Sequence, residues 1–85
     1  MELKTISRLP SGSATIGVRE VEKGIKSGEL KRVIVASNCP EWLLAKITRT
    51  EGAGNITLER FMGNERELGT ALGKAFAVAM AGFKE

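Results

Sequence analysis

The chain has 85 residues, of which 42% are hydrophobic and 27% are charged, the size and composition of one small globular domain with a single core. It contains no histidine, aspartate or tyrosine, which excludes Ser/His/Asp and Cys/His nucleophile systems and histidine-containing zinc sites, so we expect no enzyme activity, cofactor, metal or small-molecule substrate. No apolar run approaches the roughly 18–20 residues that span a bilayer, and residues 1–15 lack the apolar core of a signal peptide. We therefore expect a cytoplasmic protein without a membrane partner.

The net charge of +3 is concentrated at one end of the chain. Residues 1–32 hold seven basic and four acidic side chains, and the remaining residues balance. A basic segment on a neutral body is typical of a surface for a polyanion, most often a nucleic acid. A surplus of three charges is also ordinary for soluble proteins, so charge alone leaves both interpretations open.

The first third of the chain is predicted to form one strand and one helix. We expect residues 1–13, which include a proline, a glycine and three serines, to be an extended or poorly ordered segment. Residues 14–16 are predicted as a short strand, and a helix runs from Val18 to Gly28, because glycine commonly terminates helices. At 100° per residue its apolar residues share one face: Val18, Val21 and Ile25. Its cations share an adjacent strip: Arg19, Lys23 and Lys26.

The middle of the chain is predicted to be a buried strand followed by a helix. Residues 33–36 form a continuous apolar run, and Pro40 is tolerated at the first position of a helix. The core stripe of this second helix consists of Leu43, Leu44 and Ile47. Trp42 lies outside the stripe, on the side that carries Lys46 and Arg49.

The next predicted elements are a strand and a capped helix. Residues 55–61 alternate apolar and polar side chains, as expected for a strand with one wetter face that carries Thr57 and Glu59. Asn64 followed by Glu67 is the signature of a capping box and predicts a helix start. The residues expected to face inward from this third helix are Leu68, Ala71 and Leu72.

The last segment has two possible structures. Residues 75–83 alternate small and large apolar side chains, which favours a strand, whereas their alanine content also suits one long helix from Asn64 to Lys84. The alternation and Gly73 favour the strand. The element order then predicts an α/β fold, a three-layer α/β/α sandwich around a mixed four-stranded sheet.

Two features of the sequence resemble sites for chemistry. The G-x-x-x-G-K pattern at residues 69–74 is too short for a phosphate loop and precedes a predicted strand. Cys39 lies at a helix start, where the dipole would lower the pKa of a thiol, so it is either a reactive thiol or a small packed residue.

A binding surface is therefore the remaining interpretation. In open α/β folds the strand ends and helix starts meet at one edge of the sheet. That edge would combine helix N–H groups, cations, the Asn38 amide and the Phe76 ring, which are groups that bind distorted RNA.

Two sequence blocks carry a family resemblance. V-I-V-A-S-N-C-P at residues 33–40 and G-N-E-R-E-L-G-T-A-L-G-K-A-F at residues 63–76 resemble the archaeal and eukaryotic ribosomal protein L30e family, a branch of the L7Ae-like superfamily that binds kink-turn RNA. The resemblance covers roughly residues 15–81. It implies the same α/β/α fold and a single RNA-binding domain over residues 1–85.

The resemblance also implies site residues. Gly17 would admit the RNA backbone, Arg19 would contact the kink, and Asn38 would contact a base. Phe76 and Val78 would pack on an extruded nucleotide; the alternative for each of them is a core position. Lys23 and Lys26 extend the expected RNA surface along the first helix.

The chain departs from the family pattern in two ways. Arg19-Glu20 stands where the wider superfamily has an Asn-Glu pair. Residues 1–13 match no N-terminal helix, and no acidic C-terminal extension follows, as in a shortened paralogue. The resemblance implies a non-enzymatic ribosomal large-subunit or other ribonucleoprotein component, with RNA and ribosomal proteins as partners. The alternative is a protein-interaction module that uses Trp42, Lys46 and Arg49.

Overall fold

The computed structural model, which describes residues 3–10 and 12–84, contains one five-stranded sheet in the order β1-β4-β3-β5-β2. The strands are β1 (Lys4–Ile6), β2 (Thr15–Ile16), β3 (Arg32–Val35), β4 (Thr57–Phe61) and β5 (Met80–Phe83). The helices are α1 (Val18–Ser27), α2 (Glu41–Thr48) and α3 (Glu65–Ala71), with a single 3₁₀ turn at Ala53–Asn55. Among the described residues, no helix combines the length and the apolar character that crossing a membrane requires.

The sheet is mixed, as predicted. β1 and β3 pair with β4 in parallel, whereas β5 is antiparallel to both β2 and β3. The carboxyl ends of β2 and β3 therefore meet the amino end of β5 at the same edge of the sheet.

Helices cover both faces of the sheet, which confirms the three-layer sandwich. The apolar stripes of α1 and α2 pack on one face, against Val33, Val35 and Met80. On the other face Leu68 of α3 packs with buried residues of three strands and the loop before β5: Ile34, Phe61, Ala81, Phe83 and Val78. Each residue of β3 after Arg32 is buried, because both of its faces are covered.

The sheet has five strands, one more than expected. The additional strand β1 comes from the segment expected to be extended or poorly ordered, of which residues 1, 2 and 11 lie outside the described residues. β1 lies beside β4 in parallel, with Lys4 opposite Glu59 and Ile6 opposite Phe61. Of the residues of β1 only Ile6, which is partly buried, packs against a core cluster, and a three-residue strand with one such side chain leaves no periodic signal in the sequence.

The expected wetter face of β4 is wrong at Glu59. This carboxylate is only 5% exposed and accepts a hydrogen bond from Nε of Arg32 on the neighbouring strand β3. A buried charge needs such a partner, and here it lies 27 residues away along the chain. Alternation along one strand contains no information about a partner on another strand.

The third helix and the tail are shorter than expected. The capping box is present, since Asn64 and Glu67 exchange side-chain to backbone hydrogen bonds, each of 3.0 Å. Ala71, expected to face inward, is exposed at the end of the helix. Gly73, at φ 76°, adopts the left-handed conformation after α3, which rules out one continuous helix. Within the predicted strand 75–83, only Met80–Phe83 is a strand.

Candidate nucleic-acid interface

The edge predicted to bind RNA is formed by the ends of β2 and β3 and the loop that precedes β5. Ile16 pairs with Ala81, and the Ala36 N–H donates to the Ala79 carbonyl at 2.9 Å. These contacts place Ala79 beside the end of β3 and Ala81 beside the end of β2, so the loop of residues 75–79 leads into this edge. We call this surface the site edge and define it as Gly17, Arg19, Asn38 and residues 75–79.

Gly17 opens α1 in a conformation that favours glycine. Its φ is 98°, and a Cβ built there would meet no atom within 4 Å, so the space in front of the helix is open. Among the residues that the structure describes, no side chain caps the first N–H groups of α1. The dipole and the uncapped N–H groups favour an anion at this position. Arg19, exposed in the first turn, adds a cation beside them.

Asn38 has a structural role that the sequence did not indicate. Its Oδ1 accepts a hydrogen bond from the Glu65 N–H at 3.0 Å, which ties the start of α3 to the end of β3. The side chain is nevertheless exposed. Within residues 3–10 and 12–84, Nδ2 donates no side-chain hydrogen bond, so this group can still donate to a base.

The two predicted nucleotide-packing residues differ in exposure. Phe76 is 59% exposed, whereas Val78 is 2% exposed and lies in the core cluster under α3. The Val78 N–H donates to the Glu65 carbonyl at 2.9 Å, and the backbone of Phe76 packs against Gly69 of α3. Phe76 is therefore held by its backbone, with its side chain exposed. Val78 lies in the core, which was the alternative to an RNA contact for this residue.

Sequence reasoning missed two cations beside Phe76. Arg66, Thr70 and Lys74 line a cavity of about 290 Å³ together with Phe76 and its two neighbours. Arg66 and Thr70 share a face of α3 because they are four residues apart. Because Arg66 lies between Glu65 and Glu67 in the sequence, the net charge of this segment does not indicate a cationic surface.

The structure divides the α1 cations into separate groups. Arg19 lies at the site edge, and Lys23 forms an exposed 3.9 Å ion pair with Glu20. Lys26 lies at the far end of α1, where it lines a groove with Trp42 and the α2 cations. The predicted RNA residue Lys26 thus belongs with the predicted protein-interaction residues.

The groove between α1 and α2 has a volume of about 470 Å³. It is lined by Glu22, Lys26, Trp42, Ala45, Lys46, Arg49, Thr50 and Glu51. Trp42 is 66% exposed, as expected from its position off the apolar stripe. Lys46 pairs with Glu22 across the groove at 3.4 Å.

Cys39 does not have the environment of a reactive thiol. It is only 8% exposed and packs in the core beneath α2. Burial raises the pKa of this thiol above its ordinary value of 9.0, while Arg60 lowers it and Glu65 raises it to a smaller extent. The packed-residue alternative is therefore the one that the structure supports.

Comparison with known proteins agrees with the fold. A family model described as the ribosomal protein L7Ae/L30e/S12e/Gadd45 family matches residues 4–85. The solved structure of a protein of unknown function from Bacillus halodurans has a TM-score of 0.73 and 26% identity, covering 85% of this chain and 71% of that chain.

The chain also resembles curated large ribosomal subunit proteins eL30. That of Archaeoglobus fulgidus is 37% identical over 99% of this chain and 95% of its own length. That of Tetrahymena thermophila is 38% identical over 75% of this chain, but the match spans only 62% of the Tetrahymena protein. The expectation that the chain is not an enzyme is confirmed, because the family is a structural one without enzymatic activity. By its sequence blocks, its fold and these matches, the chain belongs to the ribosomal protein L7Ae/L30e/S12e/Gadd45 family.

Proposed function

We propose that this protein is a component of the large ribosomal subunit that binds RNA through the site edge and recognises a kink-turn or a similar internal loop. The family match and the names of its curated relatives support the ribosomal assignment. The observation that carries the RNA assignment is Phe76, an exposed residue whose backbone is held against α3, in the loop that leads to the edge where α1 begins. The partners are ribosomal RNA and neighbouring ribosomal proteins, and the location is the cytoplasmic ribosome.

Each group at the site edge has a role in this proposal. The open α1 start at Gly17 and the Arg19 guanidinium bind phosphates, because both present N–H donors and positive charge. The Phe76 ring stacks on an unpaired base, and the Asn38 amide donates to a base edge. Val78 supports the loop from the core and makes no contact with RNA.

The cations beside Phe76 complete the surface. Arg66 and Lys74 line the same cavity as Phe76, so a nucleotide stacked on Phe76 would place its phosphates near them. They supply positive charge to an edge that has Arg19-Glu20 in place of the superfamily Asn-Glu pair. Phosphate contacts provide affinity, whereas the stacked base provides selectivity for an internal loop.

The test of this function is the Phe76→Ala variant, titrated with a kink-turn RNA at several salt concentrations. Stacking contributes about 1–3 kcal/mol per base, so the variant should bind about five- to 150-fold more weakly. The slope of log K against log salt should stay unchanged, because no charge is removed. Because Phe76 is exposed, the fold should survive, which thermal unfolding checks.

The matched control is Met62→Ala, which removes another exposed apolar side chain, outside the site edge. This variant should bind the kink-turn as tightly as the wild type. If folded Phe76→Ala keeps wild-type affinity, the stacking role is wrong.

A further inference from the structure

The groove between α1 and α2 is a second surface with both an aromatic ring and cations. We call it the α1/α2 groove and define it by Lys26, Trp42, Lys46 and Arg49, with Glu22 and Glu51 at its sides. Trp42 is the most exposed of the large hydrophobic side chains that the structure describes. Trp42 belongs to neither core cluster and is not part of the site edge.

The groove begins at the same edge of the sheet as the site edge. β2 and β3 are parallel to each other, since both are antiparallel to β5, and so α1 and α2 both leave the sheet at the same edge. Arg19 lies in the first turn of α1 and Trp42 in the first turn of α2. Lys26 lies in the last turn of α1, and Arg49 directly follows α2, so both are at the other end of the groove. Each is seven residues beyond Arg19 or Trp42, which corresponds to a rise of about 10 Å along the helix axis.

The charges in the groove are unequally compensated. Glu22 pairs with Lys46 at 3.4 Å. For Lys26 and Arg49, no carboxylate oxygen of the described residues lies within the 4.0 Å of an ion pair. The end of the groove away from the site edge therefore carries two cations that have no ion-pair partner among the described residues.

We propose that the α1/α2 groove binds an unpaired RNA segment that continues from the site edge. A base stacks on Trp42, and the phosphates that follow it contact Lys26 and Arg49. An exposed ring next to unpaired cations is the combination that single-stranded nucleic acid requires, since stacking is independent of base identity and the cations follow the backbone. The proposal rests on the proposed function, because continuity with an RNA at the site edge selects RNA over an acidic protein as the occupant.

Trp42 is the single tryptophan of the chain, so its fluorescence reports on the groove alone. The probe is an oligouridine of about six nucleotides, titrated without any kink-turn. We expect it to quench the fluorescence of the wild type and of Phe76→Ala equally. The Lys26→Gln, Arg49→Gln double variant should need about tenfold more oligouridine for half quenching at low salt.

A second experiment compares three RNAs: a minimal kink-turn duplex and two versions of it that carry an unpaired tail of about six uridines on one strand or on the other. Trp42→Ala should bind the minimal duplex within about threefold of the wild type. Of the two tailed duplexes, the one that the wild type binds more tightly should be bound about tenfold more weakly by Trp42→Ala than by the wild type. Trp42→Phe should recover part of the loss, because a smaller ring still stacks. Met62→Ala is the control for loss of an exposed apolar side chain.

The outcomes separate this inference from the proposed function. If the wild type does not bind the minimal duplex, the proposed function fails, while oligouridine quenching still decides whether the groove binds RNA. If oligouridine does not quench Trp42 and the tail adds no affinity that Trp42→Ala removes, the inference is overturned. Wild-type RNA binding by Trp42→Ala, together with poor incorporation into ribosomal particles lacking this protein, would overturn it and assign the groove to a protein partner.

Discussion

At the scale of single residues, the neighbourhood of Cys39 decides its chemistry. The position at the start of α2 would lower the pKa of a thiol through the helix dipole. The side chain is instead packed with Leu43 and Leu44, and burial raises its pKa. Desolvation outweighs the dipole and the opposing effect of Arg60, because a thiolate in an apolar core loses its hydration.

We predict that Cys39 in the native protein reacts with iodoacetamide at pH 8 about tenfold or more slowly than Cys39 in the urea-unfolded chain. The folded thiol keeps its proton to higher pH than the unfolded one, whose ordinary pKa is 9.0. Protonated Cys39 therefore contributes stability below pH 9.0, and this contribution is lost as the pH rises through the folded-state pKa. Urea unfolding of the wild type and of Cys39→Ala from pH 7 to 10 measures the difference. Equal alkylation rates in the two states would contradict the prediction.

At the scale of elements, α3 positions the exposed ring of the site edge. Asn38 and the capping box set where α3 begins, and the Glu65 carbonyl accepts a hydrogen bond from the Val78 N–H. Gly69 lies against the Phe76 carbonyl, so the absence of a side chain lets the loop approach the helix. The E-L-G-T portion of the sequence block that indicated the family is thus a packing contact beneath the site.

Gly69→Ala tests this contact. A Cβ at this position would overlap the carbonyl oxygen of Phe76, so helix and loop must separate. We expect a loss of about 1–3 kcal/mol in the free energy of unfolding. We also expect weaker kink-turn binding by the folded fraction, although each RNA-contacting side chain is retained. Gly54→Ala is the control, since a Cβ there meets no atom within 4 Å, and thermal unfolding with RNA titration measures both. Wild-type stability and affinity of Gly69→Ala would show that the loop does not depend on α3.

At the scale of the whole molecule, the modest positive charge is distributed over two connected surfaces. Arg19 lies at the site edge, and Lys26 lies in the α1/α2 groove, although both belong to one helix and were predicted as one strip. Lys4 lies on β1, at the opposite side of the sheet from β2. The positions of the cations therefore matter more than their number, because only some of them can contact an RNA bound at the site edge.

We predict that Arg19→Ala weakens kink-turn binding and lowers the slope of log K against log salt by roughly 0.7–0.9, the value for one phosphate contact. Lys4→Ala removes the same charge from the far side of the sheet and should change neither quantity measurably. Titrations of both variants from low to high salt give the comparison. Equal effects of the two substitutions would indicate diffuse electrostatic attraction and contradict a defined site edge.

The fold class was predictable because most elements are determined locally. The apolar run before Asn38, the capping box at Asn64 and the spacing of apolar residues in α1 and α2 are patterns within a few turns of chain. β1 was not predictable as a strand, because its pairing with β4 involves residues about 55 positions apart and one partly buried side chain. The buried Glu59 was missed for the same reason, since its partner Arg32 is on another strand.

Of the candidate site, the sequence alone determined the residue types and the order in which they occur: a glycine before a basic helix, an asparagine after a buried strand and a phenylalanine after the G-K pair. The tertiary structure decided which of them are accessible. It exposes Phe76 and buries Val78, gives Asn38 a hydrogen bond to α3, adds Arg66 and Lys74, and moves Lys26 into a groove with Trp42. Local patterns follow from backbone geometry and hydrophobic periodicity within one element. Exposure and proximity depend on which elements pack together, a property of the whole sheet that no single segment contains.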